Sequence, residues 1–291
     1  MLSLKKVKDK DLGYFFVLPA CVMLVIVLVF PAINTLLYSL TPKGSVVGSE
    51  YTLGNYVRVL QDKVFWGTFG NTAIFVSSSV ALHLMLGLCV ALLLNVRLRG
   101  RIFFRIIALL PWTVPDVVSG IVWKWMYNPL HGCLNDLLFR LNVIDSHAMW
   151  LSDPTWALPS LIITNLWRGY PFVMIILLAG LQAIPTQLYE AASIDGASGL
   201  QKFRYVTLPG LKKMFLVALA LDTVWEFRRF ALVKVMTEGG PGHATEVLST
   251  LVYKQYFRFF QFEYASAIAI LMSGVIMLFS MPYVLMIVKG E

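Results

Sequence analysis

Charge is scarce in this chain. Asp, Glu, Lys and Arg make up 14% of its 291 residues, where soluble domains carry about 25%. Apolar residues reach 58%, which excludes a disordered segment and argues against an ordinary soluble domain. The 3 cysteines give neither a disulfide framework nor a zinc site, since Cys21 and Cys89 lie inside apolar runs and Cys133 stands alone. No Gly-Lys pair occurs, so there is no phosphate-cradling P-loop. No Gly-x-Ser-x-Gly nucleophile elbow occurs either. His83, His131, His147 and His243 have no metal-ligand spacing to one another or to cysteine. Neither catalysis nor a metal is expected of this chain. Its net charge of +8 would suggest nucleic acid only on the basic face of a soluble module. Here the basic residues sit between apolar runs, so no nucleic-acid partner is expected.

What the chain has instead is apolar length. Leu12 to Pro42 holds no charge for 31 residues, Val64 to Val96 none for 33, and Tyr264 to Val288 none for 25, against the roughly 20 that a spanning helix needs. Three more windows are apolar but interrupted: Ile106 to Tyr127 by Asp116 and Lys124, Trp156 to Ala183 by Arg168, and Met214 to Met236 by several charges. The expected fold is all-α: one polytopic domain over 1–291 in the lipid bilayer. Its six spans fall at about 12–40, 67–94, 106–127, 156–183, 214–236 and 264–288. The first run far exceeds the roughly 7–15 residue core of a signal peptide and no small-residue cleavage site follows. It reads as an uncleaved span, kinked or broken near Pro19 and Pro31. The runs are too long and continuous for barrel strands, and no internal repeat supports an inverted-repeat transporter.

Lys and Arg in the connecting segments set the orientation. The N-terminal group (Lys5, Lys6, Lys8, Lys10), the group Arg97 to Arg105, the group Lys202 to Lys213 and Lys289 bring 13 basic residues to one side. The other side holds 6: Lys43, Arg58, Lys63, Arg140, Lys254 and Arg258. Both termini are expected to be cytoplasmic.

The segment between the fourth and fifth spans, 184–213, carries the strongest signal. Pro185 suits the first turn of a helix, and Leu188, Ala191, Ala192 and Asp195 follow on one face at i, i+3, i+4 and i+7. Gly196 can turn the chain out of that helix. A second stretch, Leu200 to Val206, leads to Leu208-Pro209. This predicts a helix-turn-helix at the membrane surface, offered to a cytoplasmic partner as a helix in a groove, or else an ordinary amphipathic connector.

Glu190-Ala191-Ala192, Gly196 and Val206-Thr207-Leu208-Pro209 resemble the signature of permease subunits of binding-protein-dependent ABC importers. The longer run Glu190 to Ala197 is similar to the carbohydrate branch. So are Pro111-Trp112-x-x-Pro115, Trp123-Lys124-Trp125, Asn128-Pro129, Gly132-x-x-Asn135, Trp167 to Phe172, and Ala179 to Pro185. Thr237 to Gly242 resembles a loop of the first of two permeases in transporters of the maltose type. The resemblance covers roughly 12–288. It implies a cell (inner) membrane location and an importer permease fold, with a second homologous permease as partner. It also implies two ATPase subunits that hold ATP and Mg in this chain's stead, and an extracytoplasmic solute-binding protein that delivers a sugar. Glu190, Ala191, Ala192, Asp195 and Gly196 would then form the coupling helix, and Gly239, Gly240 and Pro241 the candidate contact for the binding protein. Turn chemistry accounts for those glycines as well.

The fifth span is the unusual one. On a continuous helix Asp222, Glu226 and Arg229 share an arc of about 60°, flanked by Trp225 and Phe230, with Arg228 pointing elsewhere. A charge at mid-membrane costs at least about 2.5 kcal/mol on insertion scales, so the stripe must face protein or water. Two readings stand: a sugar path made of polar groups between aromatic rings, or a buried network such as a Glu226–Arg229 pair that fixes packing. Glu226-Phe227-Arg228-Arg229-Phe230 departs from the milder stretch usual in the family. It points either to an acidic or phosphorylated sugar or to a shorter span. Arg168, about 12 residues into its span and roughly 18 Å along it, reads as a positioning residue or a sugar contact. His83, also within a span, reads as a functional group or as an imidazole bonded to a neighbouring helix. The alternatives from other classes are an ion-coupled secondary transporter that uses Asp222, Glu226 and Arg229 as a relay, and a membrane-embedded enzyme built on the same charges.

Overall fold

The computed structural model describes residues 9–48, 50–96 and 99–289. Lys5, Lys6, Lys8 and Arg97, which carry part of the orientation expectation, lie outside them. Every regular element among the described residues is helical. In chain order α1 (Asp9–Leu24) passes through a wider π turn at Val25–Val29 into α2 (Phe30–Leu40). Next come α3 (Gly54–Gln61), α4 (Lys63–Asn95), α5 (Arg101–Thr113), α6 (Asp116–Met126), α7 (Cys133–Arg140) and α8 (Pro154–Ala183). The chain continues through α9 (Thr186–Ile194), α10 (Gly199–Lys202), α11 (Leu208–Phe227), α12 (Ala231–Met236), α13 (Leu248–Tyr253) and α14 (Phe262–Lys289).

Four of these runs are long and apolar enough to cross a membrane: Phe16–Leu40, Lys63–Asn95, Pro154–Ala183 and Phe262–Tyr283. The pair α5 and α6 adds a fifth if counted as one bent span. The six spans expected from sequence therefore stand at four or five by length and composition among the described residues, because α11 carries Lys212, Lys213, Asp222 and Glu226.

Three spans differ in detail from the sequence expectation. The first does not break at Pro19; it widens at Val25–Val29, immediately before Pro31. Proline has no N–H to offer and its ring crowds the carbonyl four residues back, and a wide turn just ahead of it relieves both. The third expected span, 106–127, is two helices bent by 91°. Pro115 forces the preceding Val114 into extended backbone (φ −76°, ψ 128°) and cannot continue the helix. The fifth, expected unbroken over 214–236, starts at Leu208, ends at Phe227 and resumes as α12 at Ala231. The fourth runs unbroken from Pro154 to Ala183 despite Gly169 and Pro171.

The described chain packs as two compact units. In the first, residues up to Gln61 join Val252–Leu271. Asn55 Nδ2 donates to the carbonyls of Ser39 (3.0 Å) and Thr41 (2.8 Å), which satisfies the end of α2. Arg58 donates to Gln261 at 2.9 Å and lies 4.6 Å from the ring centre of Tyr264, a cation–π contact. The second unit, Asp62–Leu251 with the stretch from Met272, holds the main core of Phe75, Leu161, Met174, Leu177, Leu211, Leu232 and Met236. Its helices approach closely over small residues, as expected where lipid supplies no hydrophobic drive between them. A Cβ on Gly87 would lie 2.9 Å from Val173, and one on Gly169 would lie 2.2 Å from His83.

Candidate functional site

The break after α11 makes the site. Arg228 N and Arg229 N close tight three-residue turns on the carbonyls of Trp225 and Glu226, both at 3.1 Å. The freed Arg229 carbonyl accepts a bond from Ser249 Oγ at 2.8 Å. Arg229 thus turns out of the helical register and back toward the core, where it is 8% exposed. The bend between α5 and α6 brings Asp116 to meet it, at the N-terminus of α6 where the helix dipole favours a carboxylate.

A chain of polar contacts runs from there through the packed helices. Arg229 Nη1 donates to Asp116 Oδ1 at 3.2 Å, and its Nη2 donates to Glu226. Arg168 Nε lies 2.5 Å from Asp116 Oδ1 as an ion pair, off the line a hydrogen bond needs. Glu226 accepts from Asn165 Nδ2 of α8 at 2.6 Å. One helical turn earlier Asp222 meets His83 Nδ1 of α4 at 2.9 Å, while His83 Nε2 faces the Asn165 carbonyl at 3.1 Å. His83, Asp222 and Glu226 are all buried and bring one ligand atom each within 4.8 Å of one another, a metal-like grouping by distance. Both His83 nitrogens are already engaged, however, and Glu226 is held by Arg229 and Asn165. Its hydrogen bonds suit a packing network better than a cation.

Beside this network opens a cavity of about 450 Å³ lined by Trp112, Asp116, Arg168, Trp225, Arg228 and Arg229. Phe172 packs on both of its indoles, stacked on Trp112 at 6.0 Å and tilted against Trp225 at 4.3 Å between ring centres. Of the residues singled out on the fifth span, Trp225 and Arg229 line this cavity, and Arg228, expected to point elsewhere, lines it too because the helix ends at Phe227. Asp222 and Glu226 lie buried behind it, and Phe230 is outside its lining because the helix ends at Phe227. A larger cavity of about 580 Å³, between α4, α11 and α14, is walled almost wholly by apolar groups such as Phe69, Val80, Leu84, Leu219, Phe227 and Phe279. It offers little to a hydroxyl-rich solute.

The segment 184–213 folds as two short helices. Pro185 precedes α9, and Gly196 ends it with φ +75°. Gly196 N bonds Ser193 O at 3.1 Å and Ala197 N bonds Ala192 O at 2.8 Å, the paired bonds of a Schellman cap. Ser198 and Gln201 form a capping box on α10. Glu190, Ala191, Asp195 and Gly196 are exposed and Ala192 is half-buried. Leu188 and Ile194 stand out beside them, Ile194 at 87% exposure. In the loop 237–247, Gly239 is buried, Gly240 and Pro241 are half-buried, and Gly242 and His243 are the outward part. Thr245 Oγ1 holds the Gly240 carbonyl at 2.6 Å. Gly239 and Gly242 have φ of +86° and +52°, so the turn itself favours glycine there.

Residues 83–288 match the family described as the binding-protein-dependent transport system inner membrane component. The chain belongs to this family. The trehalose/maltose transport system permease protein MalF of Thermococcus litoralis is 39% identical over 285 residues, covering 97% of this chain and 96% of that one. The lactose transport system permease protein LacF of Rhizobium radiobacter is 35% identical over 272 residues, covering 92% and 90%. In structure the chain resembles one from a bacterial ABC transporter involved in import of the acidic polysaccharide alginate. The TM-score is 0.85 at 23% identity, covering 97% and 96%, which shows the ABC importer permease fold. Members of this family are transporter permease subunits, not enzymes, and this chain is a multi-pass membrane protein.

In this family member, sequence reasoning leaves Asp116 and Asn165 without a role. Asp116 had one legible signal, a carboxylate directly after a helix-breaking Pro115. Asn165 had none: an amide in an apolar run does not announce which carboxylate it will meet.

Proposed function

We propose that this chain is the permease subunit of an ATP-driven ABC importer and forms half of the path for a sugar or related polyol or sugar-phosphate. A second homologous permease completes the path, and a solute-binding protein delivers the cargo. The full-length likeness to a trehalose/maltose permease carries this reading. The cavity between α6, α8 and α11 is the local path segment. Its guanidinium and carboxylate groups supply donors and acceptors for hydroxyls, and its indole faces supply apolar stacking surface. Glu190, Ala191, Ala192, Asp195 and Gly196 seat α9 in a groove on an ATPase subunit, so that nucleotide-driven closure moves the spans as rigid bodies. Gly239, Gly240 and Pro241 shape the loop that meets the binding protein, with Gly242 and His243 as its contact points. Membership of a binding-protein-dependent family favours this reading over an ion-coupled secondary transporter.

The test is affinity purification from the native membrane, with mass spectrometry of the proteins that accompany the chain. A P-loop ATPase and a second permease are expected. In a Gly196→Val variant the ATPase should be lost while the chain stays folded. Nothing crowds a Cβ there, so the cost is confined to the left-handed backbone, about 1–2 kcal/mol. Glu190→Ala should weaken ATPase retention without changing the melting temperature. A chain that purifies alone, indifferent to both substitutions, would remove the docking role of α9.

A further inference from the structure

We propose that the cavity lined by Trp112, Asp116, Arg168, Trp225, Arg228 and Arg229 takes a sugar bearing one anionic group, and that Arg228 determines this preference. The inference rests on the sugar-permease reading above and narrows its substrate class.

The ground is the balance of charge. Three guanidiniums line the cavity against one carboxylate, Asp116, with Glu226 buried directly behind Arg229. Arg168 is matched by Asp116, and Arg229 by Glu226 and Asp116 together. Arg228 has no carboxylate partner among the described residues, and it is exposed. Deeper in, Asp222 is held by the His83 imidazole at 2.9 Å and lies outside the cavity lining. One guanidinium is therefore left over, and it is an exposed part of a lining that also holds two indoles.

Such a charge is not idle in that setting. Low-dielectric walls focus the field of a surplus charge and raise the local concentration of ligands of opposite sign. A neutral sugar needs donors and acceptors, which Asp116 and Arg168 already supply, and gains nothing from the excess. The planar guanidinium fork matches the paired oxygens of a carboxylate or sulfonate. Trp112 and Trp225, packed on Phe172, present aromatic surface to the ring that carries that group. A single surplus cation further implies a singly charged cargo unit. A polyanion would need the second permease to bring further positive charge.

The experiment uses the transporter complex purified with its own partner subunits. Its probes are 4-nitrophenyl β-D-glucuronide and 4-nitrophenyl β-D-glucoside, which differ only in a carboxylate in place of a hydroxymethyl group, and binding is read as quenching of tryptophan fluorescence. The glucuronide should bind about tenfold more tightly, which is what one hydrogen bond to an ionised group contributes, and the preference should shrink as salt is added. Arg228→Gln should bring the ratio of the two affinities close to one, and Arg228→Lys should retain part of it. Equal binding of the two probes to the unmodified complex, or a preference unchanged by Arg228→Gln, overturns the proposal. Binding of neither probe also overturns it. If an ATPase and a second permease are nonetheless present in that complex, the importer reading survives and only the cavity assignment falls. A complex that lacks them removes both.

Discussion

Glu226→Gln is expected to destabilise the chain by about 3–5 kcal/mol, the range seen when one member of a buried ion pair is removed. The replacement keeps the shape of the side chain and deletes its charge, so packing is nearly conserved. What changes is that Arg229, only 8% exposed, keeps a full positive charge with Asp116 as its remaining carboxylate, shared with Arg168. The bond from Asn165 Nδ2 at 2.6 Å also loses its ionised acceptor. Thermal unfolding of the detergent-solubilised chain, followed by size-exclusion chromatography, reads the effect as a fall in the temperature at which the monodisperse peak disappears. Glu226→Gln combined with Arg229→Met should recover much of the loss, because buried pairs replaced whole by apolar side chains are often neutral. A Glu226→Gln variant that melts like the parent would mean that water reaches Arg229 and that the network does not hold the break between α11 and α12.

At Gly169 the expected result has the opposite sign to helix propensity. Alanine inside a helix is favoured over glycine by roughly 1 kcal/mol, yet Gly169→Ala should lower stability by about 2–3 kcal/mol through overpacking and lost hydrogen bonds. The new Cβ would stand 2.2 Å from His83 Cε1 and 2.3 Å from Nε2. The imidazole cannot swing aside cheaply, since Asp222 holds one nitrogen at 2.9 Å and the Asn165 carbonyl the other at 3.1 Å. Either α4 and α8 separate or those bonds break. His83→Ala should be destabilising by itself, and the double variant His83→Ala with Gly169→Ala should be more stable than the sum of the two single losses. A strictly additive pair would show that the two positions do not compete for the same space.

Much of this arrangement is legible in the chain itself. Four of the expected spans follow from apolar runs, because transfer free energy is summed over neighbouring residues and needs no partner to be known. The two-helix segment 184–213 is equally local. Pro185, Gly196 and the Ser198–Gln201 box are start and stop signals whose hydrogen bonds close within a few residues. The bend at Pro115 had its signal too, in the restriction that proline places on the residue before it. The helical arc drawn through Asp222, Glu226 and Arg229 places the first two on one buried face. It misplaces Phe230, because the helix stops at Phe227.

Apolar length, the caps of α9 and α10 and the proline bend are thus properties of the sequence alone, each resting on interactions among residues a few positions apart. The partners of the intramembrane charges are not. His83 meets Asp222 across 139 positions, Asp116 meets Arg229 across 113, and Asn165 meets Glu226 across 61. A charge in hydrocarbon must find a counter-charge or water. Which one it finds depends on how closely α4 and α8 approach over Gly169, and on where α5 and α11 break. The Glu226–Arg229 pair is local and legible in the sequence, but only helix packing brings Asp116 to Arg168 and Arg229 and, among the described residues, leaves Arg228 without a carboxylate partner.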